Sequence, residues 1–326
     1  MMENMETAEA IPESPNLIRN LFQDRTFVDR ALSVPTAERI DVILPILHSN
    51  DMFKENLTSI YREVPVNRLI VGDAGCIDNS IEILSLFPRV LVLDHRTIKT
   101  LGGSIADLTA RLETEEFCYI QSDVYLPAGW FENMTSELAH ADWIGSPMQV
   151  VTMIDYKLDY KGTRPLAGAQ LGRSKFLKNI KDFIDDDYVY RQEDFVLEEF
   201  VRQNGGKIGL SNSTYHFHQV MRRKTTGLQM NIQSLEIKLN EGRNELKRIH
   251  QSQLYGFIKY CAPENKEARK MATASIHGFL KYSDESILKL LKFTFNEGRP
   301  WMKYIIFGVF KVKTNLILKK ILRLSR

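Results

Sequence analysis

The sequence predicts an α/β fold with a mostly parallel sheet, on three observations. Short apolar runs recur at Ile40-Asp41-Val42-Ile43-Leu44-Pro45, Arg68-Leu69-Ile70-Val71, Arg89-Val90-Leu91-Val92-Leu93 and Phe117-Cys118-Tyr119-Ile120. Each is nearly continuous rather than alternating, as in a strand covered on both faces. Stretches with helical spacing separate them, and strand, helix, strand in this order implies parallel pairing through right-handed crossovers.

Taken in order, Asn50 to Glu63 is predicted as the first crossover helix. Leu57, Ile60 and Tyr61 fall on one face of it, and Ser49, Asn50 and Asp51 are candidate caps. The second run ends in Gly72-Asp73-Ala74-Gly75-Cys76-Ile77-Asp78-Asn79-Ser80, a turn leading into a helix from Ser80 to Leu86. Leu101-Gly102-Gly103-Ser104 follows Lys99 and opens a helix from Ile105 to Leu112. The amides at its start, Gly103 among them, either face a phosphate or belong to an ordinary glycine loop. Before the sheet, residues 1 to about 15 are predicted disordered, and Leu17 to Leu32 is predicted as a helix packed on the sheet region.

Ligands of parallel sheets sit at the carboxyl ends of strands. Gln121-Ser122-Asp123 leaves the strand Phe117 to Ile120, so Asp123 stands where a metal-bridged phosphate would be held; the alternative is a turn aspartate before Pro127. In Tyr215-His216-Phe217-His218 an extended backbone puts both histidines on one side, as metal ligands or as partly buried packing residues. Glu193-Asp194 taken alone is a solvated helix start. Trp130 and Trp143 flank the Asp123 turn, as core residues or as a sugar platform. Asp185-Asp186-Asp187 reads as an exposed loop before Tyr188 rather than a metal cluster.

Together these segments resemble the family 2 inverting glycosyltransferases of GT-A fold, over roughly residues 38 to 220. The first strand ending at Pro45 resembles that family's opening strand, and Asp73 to Ser80 resembles its Asp-Asp-Gly-Ser-Thr-Asp-x-Ser turn. Gln121-Ser122-Asp123 falls at the Asp-x-Asp metal motif, and Gly168-Ala169-Gln170-Leu171-Gly172-Arg173 falls where the family turns towards its acceptor. Arg191 to Phe200, followed by Gly205-Gly206-Lys207-Ile208, resembles the Glu-Asp helix and the strand after it. The resemblance implies nucleotide-sugar contacts from Pro45, Asp73, Asp78, Gln121 and Ser122, to which the helix start adds Gly103 as a candidate. It implies metal ligation by Asp123 with His216 or His218, and Asp194 as the base beside Glu193. The chain departs from the pattern at Ala74, Cys76 and Gln121; glutamine bonds a ribose hydroxyl but is a poor metal ligand beside a carboxylate.

The implied chemistry suits these residue types. A nucleoside-diphosphate leaving group gathers negative charge as the glycosidic bond breaks, and a carboxylate-held Mn2+ or Mg2+ stabilises it as a Lewis acid. Inversion requires a base to take the acceptor hydroxyl's proton during attack from the opposite face.

Composition sets the bounds. A chain of 326 residues with 44% hydrophobic content can bury a full core, and a net charge of +2 argues against nucleic acid as the main partner. Cys76, Cys118 and Cys261 match no zinc spacing or disulfide framework, which points to a reducing compartment. Met1 to Ser14 is unlike a signal peptide, and no stretch is apolar and long enough to span a bilayer, so a cytoplasmic location is expected. No internal repeat or low-complexity tract is evident.

Met221 to Gly227 is a basic linker, closing over a diphosphate or simply solvated, and Asn231 to Tyr260 returns to helical spacing, packed on the catalytic region or used in oligomerisation. From Arg299 onward there is no acidic residue, and Trp301, Tyr304, Phe307 and Phe310 interleave with lysines and arginines. Such a segment either lies peripherally on an anionic membrane or docks on the protein.

The expected organisation is an N-terminal tail and helix at 1–37, a GT-A-like catalytic domain at 38–220 and a helical extension at 221–326. The expected function is inverting transfer of a sugar from a UDP- or GDP-sugar to an acceptor hydroxyl of a glycan or lipid-linked glycan. The alternatives are a catalytically weak nucleotide- or glycan-binding module and, less favoured, a nucleotidyltransferase, whose Gly-rich loop is missing after Leu44-Pro45-Ile46-Leu47-His48.

Overall fold

The computed structural model describes residues 26–49, 52–152, 157–161, 168–189, 192–221, 250–283 and 285–324. They form two compact units, the first taking the described residues up to 99, from 104 to 183 and from 200 to 221, the second those of 100–103, 184–199 and from 250 onward.

The first unit is a mixed α/β structure on a mainly parallel sheet. Its strands are β1 (Ile40–Ile46), β2 (Val66–Asp73), β3 (Val90–Asp94), β4 (Glu116–Ile120), β6 (Trp143–Gly145), β9 (Ala169–Arg173) and β10 (Ile208–Leu210), in spatial order β10-β6-β9-β4-β1-β2-β3. Only β9 runs antiparallel, against both β4 and β6. A smaller sheet has the order β5-β11-β7-β8, from β5 (Val124–Tyr125), β7 (Met148–Thr152), β8 (Lys157–Lys161) and β11 (His216–Met221).

Every residue of β1 is buried, as its continuous apolar pattern predicts. Val42, Leu44 and Ile46 point into one cluster with Cys118 and Ile120 of β4 and Leu171 of β9. The cluster also takes Leu57, Ile60 and Tyr61 of α1 (Phe53–Glu63), Leu84 of α2 (Ser80–Leu84), and Trp130 and Met134 of α4 (Trp130–Leu138). Asp41 is the polar exception in β1. It accepts from Arg68 at 2.6 and 3.2 Å, Asn67 at 2.9 Å and the Glu113 amide at 2.8 Å, so one buried carboxylate joins β1, β2 and the turn before β4.

Several expectations shift. Helix α1 starts at Phe53 with Met52 as an uncapped N-cap; Ser49 is drawn into the turn after β2, where it bonds Asp78 and Ser80, and residues 50 and 51 lie outside the described residues. Residues 26–29 are not helical and Arg30–Leu32 is a single 3-10 turn, because the Asp29 carboxylate caps Ala31 and starts a new turn there; 17–25 lie outside the described residues. Strand β3 is the sheet edge, leaving Leu91 and Val92 exposed rather than covered on both faces. Helix α3 spans Leu101–Thr109, so Gly102 and Gly103 lie inside its first turn rather than before it. A short helix α5 (Ile180–Phe183) follows, and α6 (Glu193–Gln203) starts in the second unit.

The C-terminal region is helical: α7 (described at 250–260), α8 (Lys266–Tyr282), α9 (Ile287–Glu297) and α10 (Met302–Leu324). The basic linker from residue 222 and the predicted helical stretch from 231 to 249 lie outside the described residues. Among the described residues no helix is long and apolar enough to cross a membrane.

Candidate functional site

Strand β1 has β2 on one side and β4 on the other, so the order of sheet growth reverses at its carboxyl end, the crevice where open α/β sheets bind ligands. Asp73 closes β2 and Gln121-Ser122-Asp123 follows β4, two interstrand spacings or about 10 Å apart across the end of β1. Pro45 lies at that end, in register with Gly72.

The Asp73 turn is built by its own side chain. Asp73 Oδ1 accepts from the Gly75 amide at 2.9 Å and the Cys76 amide at 2.7 Å, with Gly75 at φ 101°, where a glycine is favoured. Burial pushes the Asp73 carboxyl up, but the Cys76 amide and thiol and the Gly75 amide together outweigh it and hold it below the usual carboxylate range. Burial and the neighbouring Asp73 and Asp78 carboxylates push the Cys76 thiol well up, which disfavours its thiolate. Both oxygens of Asp78 accept from the protein, one from the Ser49 amide at 3.0 Å and the other from the Ser80 amide and hydroxyl at 3.1 and 2.5 Å. Asp78 thereby ties the loop after β1 to the start of α2.

Helix α1 positions the Asp123 turn. On the face opposite its apolar stripe, Asn56 Nδ2 donates to the Ser122 carbonyl at 3.0 Å and Ser59 Oγ accepts from the Leu126 amide at 3.0 Å. Arg62 donates to the Leu126 carbonyl at 3.1 Å and the Tyr125 hydroxyl at 3.3 Å. The spacing Asn56, Ser59, Arg62 is the sequence signal for this clamp, a polar stripe at i, i+3 and i+6 that the apolar reading of α1 passes over. Gln121 is also engaged: its side-chain nitrogen donates to the Tyr119 hydroxyl at 3.1 Å and its backbone amide to the Gly168 carbonyl at 2.8 Å.

The two histidines separate. Strand β11 pairs with β5 so that His218 lies opposite Val124, and His218 Nε2 comes to 3.7 Å from Asp123 Oδ2. His218 Nδ1 is buried and makes no hydrogen bond among the described residues. His216 shares its face, with ring centroids 5.7 Å apart, but its Nδ1 exchanges a 2.8 Å hydrogen bond with Ser146 Oγ, which accepts from Trp130 Nε1 at 3.0 Å. Trp130 is thus core and a polar anchor together, and Trp143 is core against Gly172. Gly168, at φ 92°, backs onto both imidazoles: a Cβ there would lie 2.3 Å from His218 Nδ1 and 2.8 Å from His216 Nε2. Among the described residues no three His, Cys, Asp or Glu side chains converge on one point. One carboxylate and one imidazole fit a divalent cation as a partial ligand set, to be completed by oxygens of a bound ligand.

A Ser-His-Asp contact was invisible in the sequence. His95 Nδ1 bonds Ser104 Oγ at 2.7 Å and Nε2 approaches Asp107 at 3.2 Å. The Ser104 hydroxyl is buried against Gly72, so the trio packs α3 on β2 and offers no nucleophile to solvent.

The remaining predicted residues lie in the second unit. Glu193 and Asp194 open α6 and are both buried, as is Glu198 one turn on, so the pair is not a solvated helix start. Asp194 Oδ1 accepts from the Phe195 amide at 3.0 Å. The Gly102 amide donates to the Val189 carbonyl at 2.9 Å and Gly103 to Thr100 Oγ1 at 3.1 Å, so both amides already have protein acceptors. Asp185 and Asp186 pair with Lys259 at 2.6 and 2.7 Å in a loop before Tyr188.

No protein-family profile matches the chain, and no curated protein matches it. Similar solved structures include the bifunctional IspDF from Campylobacter jejuni, at 16% identity and TM-score 0.37 over 53% of this chain and 49% of that one. Another is TarS 1-349 from S. aureus in complex with UDP-GlcNAc, at 14% identity and TM-score 0.46 over 84% of this chain and 89% of that one. HddC from Yersinia pseudotuberculosis matches at 14% identity and TM-score 0.36 over 55% and 93%. The chain spans about half the length of IspDF.

Proposed function

We propose that this protein is an inverting glycosyltransferase that moves a sugar from a nucleotide-diphospho-sugar to an acceptor hydroxyl of a glycan or lipid-linked glycan. The observation that carries the reading is the β5–β11 register, which sets His218 3.7 Å from Asp123 at the carboxyl end of β4. Asp123 and His218 are the proposed holders of Mn2+ or Mg2+, with His216 in a supporting role through Ser146. The cation would supply Lewis-acid neutralisation of the diphosphate leaving group. Asp73, held ionised by its turn amides, is proposed to accept hydrogen bonds from the nucleotide, with Pro45 shaping the floor and Gln121 meeting a ribose hydroxyl. Asp194 is proposed as the base that takes the acceptor proton while the acceptor oxygen bonds the anomeric carbon and the nucleoside diphosphate leaves. That role rests on the sequence resemblance and on the burial of the Glu193–Asp194 pair.

Gln121 at a carboxylate position and Ala74 in the Asp73 turn favour a second reading, a module that binds nucleotide or glycan with little transfer. Calorimetric titration with UDP and GDP, each with and without manganese, tests both. The transferase reading expects manganese-dependent binding of one nucleotide, lost in Asp123→Asn, together with slow donor hydrolysis. Binding without hydrolysis supports a nucleotide-binding module, and failure of both nucleotides to bind overturns the transferase reading and leaves only a glycan-binding module.

A further inference from the structure

Helix α10 has two unlike sides. One side docks within its own unit: Trp301, just before the helix, is buried and donates from Nε1 to the Cys261 carbonyl at 2.7 Å, and Ile305 and Val309 are buried. Gly308 lies close against α8, where a Cβ would meet Ile276 Cδ1 at 2.5 Å. The opposite side carries Ile306, Phe307 and Phe310, exposed at 52, 67 and 68%. At 100° per residue these three fall within one third of the circumference. Lys303 lies among them, Lys311 borders one edge and Lys313 the other, all exposed. No acidic residue occurs from Arg299 to the end of the sequence.

We propose that this face of α10 docks in the headgroup region of an anionic lipid bilayer. An aromatic stripe rimmed by lysines matches that interface: the rings enter the boundary with the acyl chains while the lysine stems reach up to lipid phosphates. Charge complementarity selects lipid over a second copy of the chain, because an isologous contact would set lysine rim against lysine rim. A lipid surface needs neither a closed patch nor a spanning helix, in keeping with the absence of any crossing helix among the described residues.

The test is co-sedimentation of the full chain with vesicles of phosphatidylcholine, with and without phosphatidylglycerol, at low and high salt; it involves neither donor nor acceptor and so stands apart from the transferase reading. The expected result is binding only to the anionic vesicles, released by salt. Phe307→Ser with Phe310→Ser, and separately Lys311→Glu with Lys313→Glu, should each weaken binding about tenfold or more with an unchanged circular dichroism spectrum. No binding at low salt, or equal binding by the parent and both variants, overturns the proposal. So does self-association that the phenylalanine variant abolishes while vesicles remain unbound.

Discussion

Gly168 and the two histidines behind it show how much single side chains decide. A methyl group at Gly168 would strain the backbone at φ 92° and press into both rings, so Gly168→Ala should cost about 1–3 kcal/mol in denaturant unfolding and weaken manganese-dependent nucleotide binding. The histidines should respond differently. His216→Asn breaks the chain through Ser146 to Trp130 and should lose about 1–3 kcal/mol of stability. His218→Asn should leave stability nearly unchanged while weakening metal-dependent binding. Equal stability losses in the two variants would contradict this division. Asp41 is the residue that makes acid stability legible. Burial raises its carboxyl, but the Arg68, Asn67 and Glu113 donors outweigh that and hold it below the usual range. A group depressed in the fold stabilises above its unfolded value of about 3.9, and that contribution is lost as pH falls through the lower folded value. Arg68→Met should therefore move acid unfolding, followed by circular dichroism, to higher pH, at a cost of roughly 1–3 kcal/mol because Arg68 is itself partly exposed.

Among the elements, α1 has two jobs on opposite faces. Its apolar stripe was readable from Leu57, Ile60 and Tyr61, because a 3.6-residue period is local information. Its polar stripe was not, because Asn56, Ser59 and Arg62 gain meaning only when the turn after β4 is brought against them. Ser59→Ala leaves the Leu126 amide without its acceptor and should cost about 1–3 kcal/mol. If the clamp positions Asp123, the same variant should weaken manganese-dependent nucleotide binding, whereas Thr58→Ala, which breaks only a bond within the helix, should not. Helix α3 was displaced from its predicted start because Gly102 and Gly103 find acceptors in Val189 and Thr100, which offsets glycine's poor helix propensity.

For the whole molecule, the proposed roles fall on two units, and the protein tests them separately. Asp123→Asn should lose metal-dependent donor binding and transfer together, while Asp194→Asn should lose transfer and keep donor binding in calorimetry. Equal loss of donor binding in both variants, with folding intact, would contradict the assignment. The second unit also explains why Glu193 and Asp194 could be read as a solvated helix start: acidic residues favour any helix N-terminus, and only packing tells a buried pair from an exposed one.

By itself the sequence determined the α/β class, the positions of the central strands and the emergence of Asp123 from one of them. Those are properties of short apolar runs and turn residues, encoded within a few neighbouring positions. The tertiary structure alone decided that β9 runs antiparallel, that His218 rather than His216 stands beside Asp123, and that α10 buries one face and exposes another. Each depends on pairing or docking between segments far apart in the chain, where one residue of register moves a side chain to the opposite face.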